Sequence, residues 1–342
     1  TSPDEMRNVG TAVAASAWFM ASATAADGDA VRDLIAKTGA ARVAAEAREG
    51  ATASDNATIV AAWRKWYDEA VASVDRLIVR TGAQAPVAAS SESRRQAVLA
   101  LGRAEVWSPA IGTALGDPDP VVRAEAANAA AQSLAGPVRP PAATVAEVAA
   151  LVNAALAKET NDLAGEGMLD ALGRIGATPE LAPATAVTLV TALPTPRALG
   201  AALGLESLLR KQPRTAIDDA RVAAMRAAAI SPAHDARIRR LLFLALTSGA
   251  RIDLATATAG TNDADWQVRR LALLAMASPA IEKTPRAPEA LAAVQARLAD
   301  PDFQVRLEAA KLAGRFGDCA AVAARLRDAA VPVVLQALDS LP

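Results

Sequence analysis

"DPDPVVRAEA", residues 117–126, and "DPDFQVRLEA", residues 300–309, spell the same pattern, Asp-Pro-x-x-x-Val-Arg-x-x-Ala. A catalytic motif is seldom needed twice in one chain, whereas a structural unit copied along it is. A third copy, "DADWQVRRLA" at 263–272, has Ala in place of Pro. A fourth, "DAAVPVVLQA" at 328–337, keeps Asp328 and Val333 but carries Val334 where the others carry Arg.

With the Val before Arg as a marker, weaker copies follow from the residues after it. "RQAVLALGRAE" from Arg95 places a marker at Ser93, "EGMLDALGRIG" from Glu166 at Ala164, and "IRRLLFLALTS" at Ile238. "RALGAALGLES" places a poor one at Arg197. The markers are then 93, 122, 164, 197, 238, 268, 305 and 333, in steps of roughly 28 to 42 residues, the length of a two-helix unit.

Each marker opens a helix after a turn, and before the turn lies another apolar-periodic segment, as in "VWSPAIGTAL", "TVAEVAALVNAALA", "APEALAAVQARLA" and "AAVAARLR". The Asp of the pattern is expected to cap the second helix, its carboxylate accepting backbone N–H groups. Composition agrees. Apolar residues make up 52% and aromatics only 3%. With Ala the dominant apolar residue, that predicts helices in close, thin contact. A single pair so poor in aromatics buries too little area, at about 25 cal/mol per Å², to offset chain entropy, so the pairs must lean on one another.

These residues resemble the HEAT repeats, whose pattern has a Pro in the first helix, an Asp in the turn and Val-Arg opening the second. Pro109, Asp117, Val122 and Arg123 match all four positions; Asp263, Val268 and Arg269, and Asp300, Val305 and Arg306, match three each. The resemblance covers about residue 59 to the C-terminus. It implies an all-α, right-handed α-solenoid of about eight antiparallel helix pairs. It also implies an Asp–Arg ladder between neighbouring turns, to which the pairs Asp117/Arg123, Asp263/Arg269 and Asp300/Arg306 are assigned. The repeats marked at 164 and 197 are assigned no ladder residue.

Residues 1–54 are expected to form an N-terminal helical hairpin capping the array, which spans 55–342. Helices are expected at about 3–26, 29–48 and 55–81. Five of the aromatic residues fall within 1–82, and Trp63, Trp66 and Tyr67 share one helical face. That face reads as a core stripe or as an anchor for a partner. The opening "MRNVGTAVAASAWFMASATAADGDA" has the look of a secretory signal, but Ser2, Pro3 and Glu5 are a helix-opening set, and an ordinary first helix is expected. The compartment stays open between cytoplasm and periplasm. The closing "VPVVLQALDSLP" has no polar outer face, and a continuation past Pro342 is expected.

Several chemistries are excluded. Net charge is −1 with no block of like charge, so no nucleic-acid footprint is present. One Cys, Cys319, and one His, His234, rule out a disulfide, a cysteine zinc site and a multi-histidine metal site. His234, in "SPAHDAR", reads as a surface turn. No stretch is long and apolar enough for a membrane span. No phosphate loop, nucleophile elbow or carboxylate dyad is found. "LGRIG" and "AGRFG" read as helix-end capping glycines. Neither catalysis nor a cofactor is expected.

Function is expected on the row of second helices. Positions three and six after each marker form a ridge that is polar at both ends and apolar in the middle: Leu203, Leu241, Leu244, Leu271 and Leu274. Arg239, Arg240, Arg269 and Arg270 are expected to flank it. Such a strip suits an amphipathic helix or an acidic peptide; the competing reading makes these leucines core. The expected role is a protein- or peptide-binding scaffold or adaptor, either a monomer or a module of a larger chain. The alternative is the repeat arm of a bacterial enzyme, such as a peptidyl-prolyl isomerase fusion with its catalytic domain elsewhere.

Overall fold

In the computed structural model, residues 91–103, 105, 107–136, 140–278, 281 and 288–341 are described. The expected hairpin 1–54, the helix 55–81 and the stripe Trp63, Trp66 and Tyr67 lie outside them. The described residues are helical, with no strand among them. They fall into two compact units, the first ending at Ile175 and the second beginning at Gly176.

The first unit contains α1 (Ser91–Arg103), α2 (Pro109–Ala114), α3 (Pro120–Ser133), α4 (Ala142–Leu156) and α5 (Asp162–Ile175). Helices α1, α3 and α5 pack side by side in that order, and α2 and α4 lie against them and touch each other. The second unit contains α6 (Ala182–Ala192), α7 (Ala198–Lys211), α8 (Asp219–Ala229), α9 (Ala236–Ser248) and α10 (Leu254–Gly260). It continues with α11 (Trp266–Met276), α12 (Pro288–Arg297), α13 (Phe303–Arg315), α14 (Cys319–Ala324), a 3-10 turn (Arg325–Arg327) and α15 (Val331–Ser340). There α7, α9, α11, α13 and α15 pack in succession, and α6, α8, α10, α12 and α14 each pack against members of that row.

The local chemistry explains where each helix starts. Asp119 accepts the Val121 N–H at 2.8 Å, Asp265 the Val268 N–H at 3.0 Å, and Asp302 the Gln304 N–H at 2.8 Å. Each caps a helix with an apolar or proline first residue. Asp235 caps α9 and Asn161 caps α5 in the same way. The capping residue therefore lies three positions before the marker. The expectation that Asp117, Asp263 and Asp300 cap is corrected: these lie five positions before it and have another task.

The core is made of small residues in close register. Val122, Val268, Val305 and Val333 are fully buried, as are Ala126, Ala164, Ala272 and Ala309. Glycine sets the closest approach in the first row. A Cβ added at Gly102 would stand 2.9 Å from both Cα and Cβ of Ala129, and one at Gly167 3.3 Å from Ala124. Gly102→Ala is expected to destabilise the chain by about 1–2 kcal/mol, the crowding outweighing the gain in helix propensity; a lowered urea midpoint is the measurement. Gly317, at φ +77, ends α13 in the left-handed region, as expected for "AGRFG". Gly173 of "LGRIG" instead lies buried inside α5.

Candidate functional site

Helices α9 and α11 contribute to both the ladder and the strip. The ladder begins with the Asp five positions before the marker. Asp117 accepts the Asp119 N–H at 2.8 Å, Asp263 the Asp265 N–H at 2.8 Å, and Asp300 the Asp302 N–H at 3.0 Å, which closes the turn ahead of the capping residue. The remaining lone pairs of each carboxylate face back toward the preceding turn.

There they meet an arginine one position after that turn's marker. Arg94 grips Asp117 through Nε at 2.7 Å and Nη2 at 2.8 Å, and Arg269 grips Asp300 at the same two distances. Arg239 grips Asp263 at 2.7 and 2.8 Å, and Arg306 grips Asp328 at 2.8 Å through both nitrogens. The remaining Nη1 stays at home: Arg123 donates to the Asp117 and Pro118 carbonyls at 2.8 and 3.1 Å, and Arg306 to those of Asp300 and Pro301 at 2.8 and 3.2 Å. One planar guanidinium thus fastens its own turn and the next, a fork that a lysine could not reproduce.

Asp117 and Arg123, assigned to the ladder from one copy of the pattern, therefore form no side-chain ion pair with each other; Arg123 meets Asp117 only at its backbone carbonyl. The same holds for Asp263 with Arg269 and for Asp300 with Arg306: each side chain reaches a neighbouring turn. Arg123 pairs with Glu159 at 2.6 and 2.7 Å. Glu159 stands five positions before marker 164 and supplies the carboxylate of a repeat that the sequence reading left without one. Arg94, Arg239 and Glu159 were missed, although all three occupy the +1 or −5 register.

Four of these carboxyls sit below their ordinary range. The hydrogen bonds from Arg94, Arg123 and Arg306 hold Asp117, Glu159 and Asp328 down. Burial pushes Asp300 up, but Arg269 and the Asp302 N–H outweigh it, and its net shift is also downward. A carboxyl depressed in the folded state contributes stability that is present above its unfolded pKa, about 4. That contribution is lost as pH falls through the folded value. The urea midpoint is expected to hold between pH 7 and 5 and to drop below about pH 4.

Leu203, Leu241, Leu271 and Leu274 are half-buried and Leu244 is 39% exposed, so none of the five belongs to the buried core. The buried positions that alternate with them are Leu242, Phe243, Ala272 and Leu273. The marker is the third residue of every other helix of the rows, and α7 opens at Ala198, which puts its marker at Gly200 rather than Arg197. Leu203 then takes the same register as Leu241 and Leu271, three positions on, while Glu206 aligns with Leu244 and Leu274. On α13 the equivalent positions are Glu308 and Lys311, so the apolar strip spans α7, α9 and α11.

The charges around it are arranged differently from the expectation. Arg239 and Arg269 turn away into the ladder and are buried. Arg240 and Arg270 do border the strip, half-buried, with Asp265 at 3.9 Å and Glu308 at 3.6 Å. In the first unit the same face is polar: Arg95 meets Glu125 at 3.4 Å, and Asn128 links Glu125 at 3.2 Å to Arg174 at 2.9 Å.

His234 lies in a turn whose carbonyl accepts from Arg239, and Cys319 is an exposed free thiol. Among the described residues no group of three or more His, Cys, Asp or Glu could hold a metal, and no helix is long and apolar enough to cross a membrane.

No family model matches the chain, and no curated protein matches it. Among solved structures, the chain is similar to an engineered protein crystallised by the Northeast Structural Genomics Consortium. The two share 17% identity over 96% of this chain and 97% of that one, with a TM-score of 0.46.

Proposed function

We propose that the chain is a HEAT-like α-solenoid that acts without catalysis, binding a protein or peptide along its row of second helices. The observation that carries this reading is the strip itself. Leucines in equal register on three adjacent helices stay partly exposed, while residues between them are buried. Adjacent packed helices lie about 8–10 Å apart, so the strip runs about 20 Å across the row. That is about 13 residues of a bound helix at 1.5 Å each. An apolar band of this kind bordered by polar side chains is the usual form of a helix-docking surface. The ladder keeps the turns in register, and with them the spacing of the leucines.

The test is a double substitution, Leu241→Glu with Leu271→Glu. Both side chains already reach solvent, so the melting temperature is expected to stay within a few degrees, as surface changes usually allow. Partner capture from the native source is expected to fall at least tenfold. A collapse of folding would return these leucines to the core, and undiminished capture would remove them from the binding face.

A further inference from the structure

Arg239 and Arg240 stand side by side in α9, and Arg269 and Arg270 in α11, yet the two members of each pair are used differently. The first of each pair is saturated. Arg239 gives Nε and Nη2 to Asp263 and Nη1 to the His234 carbonyl. Arg269 gives Nε and Nη2 to Asp300 and Nη1 to the Asp263 and Ala264 carbonyls. The second of each pair keeps most of its donors. Arg240 donates only Nε, to the Ala236 carbonyl at 3.2 Å, and Asp265 stands 3.9 Å away, beyond hydrogen-bond reach. Arg270 has Glu308 at 3.6 Å from Nε. Among the described residues, no acceptor meets Nη1 or Nη2 of either arginine.

Both open forks lie beside the leucines. Arg240 precedes Leu244 by four residues, as Arg270 precedes Leu274, which puts each arginine on the leucine side of its helix. In the first unit an acid fills the corresponding place: Arg95, in the same register of α1, meets Glu125 of α3 at 3.4 Å. On α11 the position equivalent to Glu125 is Leu271, so the strip offers Arg240 no acid there. The acids that do border the strip are occupied and less open. Asp265 caps α11, and Glu206 is held by Arg210 at 2.9 Å. The side chains of Asp265, Glu206 and Glu308 are 23%, 21% and 11% exposed, against 32% for Arg240 and 39% for Arg270. Lys311, exposed on α13, adds another positive charge. A partner approaching the leucines therefore meets bases before acids.

We propose, on the reading of the strip as a docking face, that its partner is an amphipathic helix with carboxylates beside its apolar stripe, two of which Arg240 and Arg270 receive. A guanidinium takes a carboxylate through two parallel bonds, and each fork has both terminal nitrogens to give. The two arginines hold equal register on neighbouring helices, which lie about 8–10 Å apart. Residues seven apart on a bound helix are separated by about 10 Å and fall on one side of it, two turns taking about 7.2 residues. Asp or Glu at positions i and i+7, next to the stripe that meets the leucines, is the expected pattern. A basic helix would set like charges together.

The test is a displayed library of amphipathic helices about 14 residues long, with a fixed leucine stripe and randomised flanking positions, selected on the 342-residue chain. Asp and Glu are expected to be enriched at flanking positions seven apart, and Lys and Arg depleted. By fluorescence anisotropy, a selected peptide with both acids changed to amides is expected to bind about tenfold more weakly. Arg240→Gln with Arg270→Gln is expected to bind the acidic and the amide peptides alike, with unchanged melting, since neither arginine belongs to the ladder. Binders without acid enrichment, or an acid preference that survives the arginine substitutions, would overturn the proposal. If such binding were still lost in Leu241→Glu with Leu271→Glu, the docking face itself would stand. A library that yields no binder, or binders indifferent to the leucine substitutions, would overturn the docking face and the acidic partner together.

Discussion

Arg269→Ala is expected to remove about 3–5 kcal/mol of folding free energy, among the largest effects of any single change in the chain. Its partner, the Asp300 carboxylate, is completely inaccessible to solvent. With the guanidinium gone, that carboxylate keeps the Asp302 N–H and a longer contact from Arg297 at 3.4 Å. The Asp263 and Ala264 carbonyls lose a donor at the same time. Replacing both partners, Arg269→Leu with Asp300→Leu, is expected to cost clearly less than Arg269→Ala, because no buried charge is left behind. Urea titrations of the single and double variants check this. A double variant as unstable as the single would mean that the turn geometry matters more than the charge.

Phe243→Ala is expected to cost about 3–5 kcal/mol by a different route, a cavity. Phe243 is the largest fully buried side chain among the described residues. It lies in α9 and reaches toward α10, where Gly260 makes room for it. A Cβ added at Gly260 would collide with the Phe243 ring and stand 3.0 Å from the Ala272 Cβ. The two positions are therefore coupled. Gly260→Ala alone is expected to destabilise by about 1–3 kcal/mol through overpacking. In the Phe243→Ala background the same change fills part of the void and is expected to be close to neutral. Additive losses in this double-mutant cycle would show that the two do not share a space.

The helices were legible from the chain because Val122, Val268, Val305 and Val333 recur behind recognisable turns, and the helices they open do pack in rows within each unit. The ladder was only half legible. Its residue types could be read, but its partners could not. Spacing within one copy ties Asp117 to Arg123, whereas the side-chain ion pairs tie each to a different neighbour, at sequence distances of 23 and 36 residues. Glu159 was passed over because it is one methylene longer than Asp and has no Pro or Val-Arg after it. The shift from Arg197 to Gly200 was hidden for a related reason. α7 opens with Ala, Leu and Gly, and no apolar–polar contrast marks which of them faces inward. Exposure of the leucines is a property of what their neighbours cover, and a single helix does not contain that information.

One feature of the ladder bears on how such a chain can change in length. The turns holding Asp117 and Arg123, Asp263 and Arg269, and Asp300 and Arg306 each hand an acid backward and a base forward, so a copy of any of these three units arrives already carrying both halves of a new clasp. Insertion or loss of a whole unit between two ladder turns leaves every remaining carboxylate matched without a compensating substitution. A cut within a unit would strand one charge on each side. Gain and loss of complete helix pairs is therefore the route by which the rows can lengthen or shorten while staying fastened.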